Sequence, residues 1–270
     1  MKTIHFSILS ALVIILVLTA TLANRSMAFK SATSKTINGD GFVVLELFTS
    51  EGCSSCPAAD ELLAQVQRQA GDKPVYVLAY HVDYWDRLGW KDVFSSPDYS
   101  KRQYQYAGKL GAQVYTPQVV VNGKTEFVGS NRQALDYMLA SGLSGKPAST
   151  LELSGTLQNG KLELRYQLSG KTQGNELLVA LVQKSAVHQI KRGENEGRTL
   201  THAQIVRSLQ TFPLHQSTTG KIRVNLPKEY NTSGWEIIGL VQNSKSMTIQ
   251  AASRANLSSA KSNTLSSVNL

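Results

Sequence analysis

The chain has two cysteines, Cys53 and Cys56, both within the stretch LELFTSEGCSSCPAAD. Thiols three residues apart serve three chemistries: an exchanging redox pair, half of a metal site, or an inert staple. If the pair opens a helix, unpaired backbone N–H groups and the positive end of the helix dipole favour an anion there. A thiolate at Cys53 gains from this, and such positions lower a thiol pKa from about 8.5 into the range of roughly 3.5–7.5. Cys56 falls one turn later on the same face, within bonding reach. Cys53 is expected to be the more exposed, attacking thiol and Cys56 the resolving one. Pro57 disfavours helical geometry in the residue before it, so a distorted first turn is expected.

The compartment decides the resting state of such a pair. Lys2 precedes an apolar run over residues 8–23, and Thr21-Leu22-Ala23 and Ser26-Met27-Ala28 offer cleavage signals, so residues 1–28 have the form of a signal peptide. An uncleaved anchor is the other reading, because residues 4–23 approach the roughly 20 needed to span a bilayer. Both place the remainder outside the cytosol, in the periplasm or secreted, where thiols are oxidised. The formal charge is +9, and losing Lys2 and Arg25 with the leader leaves +7. The basic residues are spread out, with no run of five or six, which argues against nucleic acid and for a generally cationic surface compatible with peripheral or anchored membrane association.

The elements that must position these groups can be read from periodicity. Residues 42–48 (FVVLELF) form a nearly continuous apolar run, as in a strand covered on both faces. Residues 56–70 carry Leu62, Leu63, Val66 and Ala70 at helical spacing, and Gly71 ends the helix. A second strand at 75–82 makes a parallel βαβ unit. An aromatic insertion (83–96) precedes a helix over 97–110, capped by Ser96 with Pro97 at its first position. Two short strands flank Asn122-Gly123, the strongest short hairpin signal, and Ser130 is expected to cap a helix over 131–141. The order β-α-β-α-β-β-α defines an α/β domain over residues 40–143. A Gly/Ser linker leads to residues 148–252, where six or seven strand candidates suggest an all-β, sandwich-like domain. The Ser/Asn-rich residues 253–270 are expected to be a disordered tail.

Strand ends bring further groups into view. In a parallel sheet the carboxyl ends of neighbouring strands share an edge, so His81 and Asp83 should emerge near Cys53, where His81 could tune a thiolate or shuttle a proton, or simply be a bonded structural residue. Glu46 interrupts a buried strand. Burial raises a carboxyl pKa and suits it to accept the resolving thiol's proton; the other reading is an exposed edge position. Tyr84, Trp85, Trp90 and Phe94 either wall a peptide groove or cap the sheet. GENEGR (193–198) with His202 is polar enough for a binding loop, but a turn closed by a Glu194–Arg198 salt bridge is preferred. No Ser-His-Asp arrangement, phosphate loop or four-ligand zinc spacing is legible.

With Cys53-Ser54-Ser55-Cys56 between first strand and helix, and Thr116-Pro117 opening the third strand, the first domain resembles the thioredoxin-like fold. That resemblance implies a cis Pro117 lying against the disulfide and a Thr116 backbone free to pair with an incoming peptide. It implies too an acid on the first strand, six residues before the first cysteine; Glu46 lies seven before. The inner pair is Ser-Ser where thioredoxins have Gly-Pro. On LFTSEGCSSCPAAD, YHVDYWDRLGW, YTPQVVVNG and RGENEGRTLTHAQIVRS, the chain is similar to a family of exported bacterial proteins known as domain of unknown function 1223. The leading expectation is an exported thiol–disulfide oxidoreductase acting through Cys53, Cys56, Thr116, Pro117, His81 and Glu46 on protein thiols and disulfides of the cell envelope, with the disulfide its only cofactor. Two alternatives stay open. One is a copper carrier using Cys53, Cys56 and His81, although thioredoxin-like copper chaperones have three residues between their cysteines where this chain has two. The other is a non-catalytic envelope-binding protein with a structural disulfide.

Overall fold

A computed structural model describes residues 40–158 and 161–259. The leader expected over residues 1–28 lies outside the described residues, as do residues 260–270. Strand β1 (Val43–Thr49) is buried along its whole length, which is why its sequence shows no alternation. Helix α1 (Cys56–Ala70) follows, with Pro57 in its first turn and Gly71 at φ 55° ending it. Proline is tolerated there because the first helical N–H groups have no intrahelical partner. The expected distortion is therefore absent, and α1 runs unbroken from Cys56. β2 (Val75–His81) pairs parallel to β1 in the register Thr49 to His81.

After the insertion comes α2 (Pro97–Leu110), where the Ser96 side chain accepts from the Asp98 amide and Gly111 closes the end at φ 64°. β3 (Gln118–Val121) and β4 (Thr125–Val128) form the hairpin around Asn122 and Gly123, both left-handed. Helix α3 (Arg132–Ser144) is capped by Asn131, whose side chain accepts from the Ala134 amide, in place of the expected Ser130.

The second half holds β5 (Thr150–Gln158), β6 (Lys161–Ser169), β7 (Asn175–Gln189), β8 (Thr199–Pro213), β9 (Thr219–Val224), β10 (Trp235–Asn243), β11 (Ile249–Arg254) and β12 (Asn256–Ser259). Residues 253–259, expected within a disordered tail, instead finish β11 and form β12, which lies parallel to β5 with Leu257 packed on the core.

The strands make an eight-stranded sheet, β11-β10-β7-β8-β2-β1-β3-β4, and a four-stranded sheet, β12-β5-β6-β9. The fold is thus mixed α/β. The larger sheet runs through both halves, joined where β8 pairs parallel to β2 at Ala79 and Ile205. One face of it packs on α2, through Val44, Phe48, Tyr80, Tyr99, Tyr106, Leu178 and Ile238. The other face meets α1 near β1, where Thr49 bonds Asp60, and at β7 and β10 it meets the four-stranded sheet, burying Leu153, Leu164, Leu177, Leu181 and Ile237 between the layers. Two β-layers do pack together, but one of them is the end of the α/β sheet.

The Asn122-Gly123 turn locks the two halves. Asn122 Oδ1 accepts from the Val44 amide at 2.7 Å, and its carbonyl accepts from the Ile249 amide at 2.9 Å. A Cβ added at Gly123 would overlap the Met247 carbonyl. Gly123→Ala is therefore expected to cost about 2 kcal/mol or more, from the left-handed backbone together with this overlap, read as a lower urea midpoint.

Candidate functional site

Cys53 and Cys56 are joined in a disulfide, with Cα atoms 5.4 Å apart, at the first turn of α1. The turn is held by the Cys53 amide donating to the Ser50 carbonyl and the Cys56 amide to the Cys53 carbonyl, both at 3.2 Å. Contrary to expectation, Cys53 is not the exposed partner: both cysteines are 0% accessible. Ser54 and Ser55 face solvent, while the sulfurs lie beneath them.

Thr116 and Pro117 are brought toward this turn by the insertion. The Trp85 indole N–H donates to Thr116 Oγ1 at 2.8 Å, and a Cβ added at Gly52, next to Cys53, would lie 3.2 Å from the Trp85 Cβ. The Thr116-Pro117 peptide is cis. Pro117 meets α1 across Gly129, where an added Cβ would stand 3.0 Å from the Ala59 Cβ and 3.3 Å from the Pro117 Cβ. Trp85 thus acts as a strut.

Beneath the disulfide lies a cluster of ionisable side chains that sequence reasoning only partly anticipated. His81 is fully buried, its Nδ1 2.6 Å from Asp92 Oδ2. The same Asp92 oxygen accepts the Glu51 amide at 2.9 Å. The Glu51 carboxylate accepts from the Trp90 indole at 2.8 Å and lies 2.9 Å from His188 Nδ1 and 3.2 Å from His202 Nε2, the last outside hydrogen-bond geometry. The His81 and His202 rings meet edge-on with centroids 4.9 Å apart, and Phe94 packs against both. Asp60, on α1 four residues past Cys56, accepts from Thr49 Oγ1 at 3.0 Å.

Opposite charges in this cluster support one another, while the Asp92 carboxylate works against the charged forms of Glu51 and Asp60. Burial works against the charged form of His81, but the Asp92 carboxylate outweighs it and raises the imidazole above its ordinary value; reciprocally, burial would raise Asp92 and His81 holds it below the usual range. Burial would also raise Glu51, yet His202, Trp90 and His188 together bring it down. Asp60 goes the other way: burial raises it, and the neighbouring histidines only partly offset that.

Glu46 does not belong to this group. Side chains alternate along β1, so Glu46 shares the α2 face with Val44 and Phe48, whereas Thr49 faces α1. It is buried, so the exposed edge position does not hold, and it receives Arg102 Nε at 2.8 Å and the Tyr106 hydroxyl, and Arg102 continues to Gln242 at 3.1 Å. It cannot serve the resolving thiol from there. His81, which faces α1, enters the cluster, but its Nδ1 is committed to Asp92. Among the described residues no three His, Cys, Asp or Glu side chains converge as a metal-holding group.

The GENEGR segment also departs from expectation. Glu194 does not pair with Arg198; its carboxylate accepts the Ser54 amide at 3.0 Å, and bonds from Ser54 hold its pKa below the ordinary value. Asn195 is wholly buried and donates through Nδ2 to the Glu51 carbonyl at 2.8 Å and the Cys53 carbonyl at 2.9 Å, while its Oδ1 accepts from Arg198 at 2.7 Å. The β7–β8 hairpin therefore supplies His188, Asn195 and His202 to the cysteine site from about 140 residues away in sequence.

The chain belongs to the family described as protein of unknown function DUF1223, whose model matches residues 44–242. It is similar to a protein of Agrobacterium tumefaciens solved by X-ray crystallography, with 26% identity and a TM-score of 0.61 over 79% of this chain and 93% of that one. A domain of the outer membrane lipoprotein Omp28 from Porphyromonas gingivalis aligns at 9% identity and a TM-score of 0.24, over 42% of this chain and 90% of the other. No curated protein shows a significant match to the chain.

The His81–Asp92 pair sets a pH signature. With its folded pKa raised, His81 contributes stability that is complete below 6.5 and fades as pH rises through the raised value; Asp92, lowered, contributes above 3.8 and loses this as pH falls through its folded value. His81→Gln is therefore expected to cost most at about pH 5 and progressively less at alkaline pH. Urea denaturation of both proteins at several pH values reads the difference.

Proposed function

We propose that this DUF1223 chain carries a thioredoxin-like unit over residues 40–143 and acts outside the cytosol as a thiol–disulfide oxidoreductase on protein thiols of the cell envelope. The observation that carries the reading is the Cys53–Cys56 disulfide at the first turn of α1, directly after the central strand β1. Support comes from the order β4-β3-β1-β2, with α1 and α2 on opposite faces, and from Thr116-Pro117 tied to the cysteine turn through Trp85. The apolar run at residues 8–23 supports export, and no helix among the described residues is long and apolar enough to cross a membrane.

In the exchange, a partner thiolate attacks Cys53 Sγ, the Cys53–Cys56 bond breaks, and Cys56 leaves as a thiolate that takes up a proton. A second partner thiolate then attacks the partner sulfur of the mixed disulfide and releases Cys53. The partner dithiol ends oxidised and the chain's disulfide reduced to two thiols. With Glu46 on the far face, Asp60 is the one of the three buried acids on the thiol side whose pKa is raised, which suits it to hand the Cys56 sulfur its proton.

Burial of both sulfurs favours a second reading, a structural disulfide. A redox titration of the pair, together with mass-spectrometric trapping of mixed disulfides on a Cys56→Ser variant, separates the two. Exchange predicts a potential above about −300 mV and covalently trapped envelope proteins. A potential well below about −300 mV with nothing trapped marks a staple and overturns the oxidoreductase reading.

A further inference from the structure

The outer part of the β7–β8 hairpin differs from its root. Near the root, β7 pairs with β10 as far as Gln183 and Trp235, and β8 pairs with β2 at Ile205. Beyond these points, from Ser185 opposite Ala203 to Gln189 opposite Thr199, the two strands pair only with each other among the described residues. The boundary is marked by a break in the ladder. Lys184 turns its amide to the Gly234 carbonyl, and Gln204 adopts a left-handed backbone at φ 57°. A non-glycine residue held there costs on the order of 1 kcal/mol, so the position marks a built-in bend.

The tip is a preformed turn. The Ile190 amide donates to the Arg198 carbonyl and the Gly197 amide to the Ile190 carbonyl, both at 2.9 Å, with Gly193 and Gly197 at φ 80° and 79°. This tip rests on the cysteine turn through polar contacts, Glu194 on the Ser54 amide and Asn195 on the carbonyls of Glu51 and Cys53, and the arm also buries Ile190 and Leu200 and sets Gly193 against Trp90. Behind it, His188 and His202 face the Glu51 carboxylate. Polar latches of this kind exchange with water at little net cost, so the contacts of His188 and His202 with Trp90 and Phe94 are the main packing that the arm gives up on lifting.

We propose that the arm from Ser185 to Ala203 is a strap, hinged at Gln204 and latched by Glu194 and Asn195, that covers the Cys53–Cys56 disulfide and must lift before a thiol can reach it. The inference rests on the oxidoreductase reading for its purpose but not for its geometry. It reconciles a helix-opening disulfide with two inaccessible sulfurs. The latch atoms occupy backbone groups of Glu51, Cys53 and Ser54, so lifting the strap frees, beside the attacked sulfur, the N–H and C=O groups that an extended peptide can bond.

The test measures reduction of the oxidised full-length protein by excess water-soluble phosphine, quenched by thiol alkylation and read by mass. The phosphine attacks one sulfur and expels the other as a thiolate that takes a proton. Water then cleaves the thiophosphonium to the second thiol and phosphine oxide. Asn195→Ala is expected to speed reduction about tenfold or more, and Glu194→Ala, an exposed position, about fivefold. Wild-type rates in both variants, with native circular dichroism, would overturn the strap; if Asn195→Ala fails to fold, Glu194→Ala decides alone. Failure of the oxidoreductase reading leaves this result untouched, because the phosphine needs no biological partner. Conversely, exchange with protein thiols at a rate that neither substitution changes overturns the strap alone.

Discussion

The architecture turns on one short parallel pairing, Ala79 of β2 against Ile205 of β8. A βαβ unit followed by a hairpin leaves β2 as an open edge, and open edges invite uncontrolled pairing. Here β8 takes that edge, and with it β7, β10 and β11 extend the sheet. The β7–β8 tip meets the cysteine turn through Asn195, which donates to the carbonyls of Glu51 and Cys53, and His202 packs against His81. The second half of the chain is thereby tied to the site.

What the sequence revealed follows the range of each signal. Elements set by local chemistry, such as α1 with its closing Gly71 and α2 between Ser96 and Gly111, were legible to the residue. So was the hairpin at Asn122-Gly123, because only a few residue types suit two left-handed positions. β8 carries little strand signal: its inward side chains include His202 and Gln204, so polar residues occupy positions where alternation would show apolar ones. The residues that gather beside Cys53 were legible only in part. Glu51, Asp92, His188 and Asn195 come from three separate regions, and only the fold brings them together. Glu46 misled for a related reason: even with burial as one of its two readings, the face of the strand it occupies depends on which helix covers each side.

The two buried polar systems do different work. On the α2 face, Glu46 and Arg102 form a bonded pair completed by Tyr106 and Gln242. Breaking such a pair is costlier than never having made it, so the pair fixes how α2 sits against β1 and β10. On the α1 face the polar groups are not all satisfied: His81 Nε2 and both ring nitrogens of His202 have no hydrogen-bond partner among the described residues. Unpaired buried nitrogens cost free energy, and their concentration beside the cysteine turn sets that region apart from Glu46, Arg102, Tyr106 and Gln242 across the sheet, which bond one another.

The distance in sequence between the cysteines and what covers them also bears on assembly. Ser54 and Glu194, or Cys53 and Asn195, meet only when residues far downstream have been made and folded back. A chain that enters an oxidising compartment from its N-terminus presents CSSC uncovered for as long as the β7–β8 hairpin is still to come. In an exported chain, as proposed above, an oxidant would meet the two thiols during synthesis, before the completed protein closes over the bond.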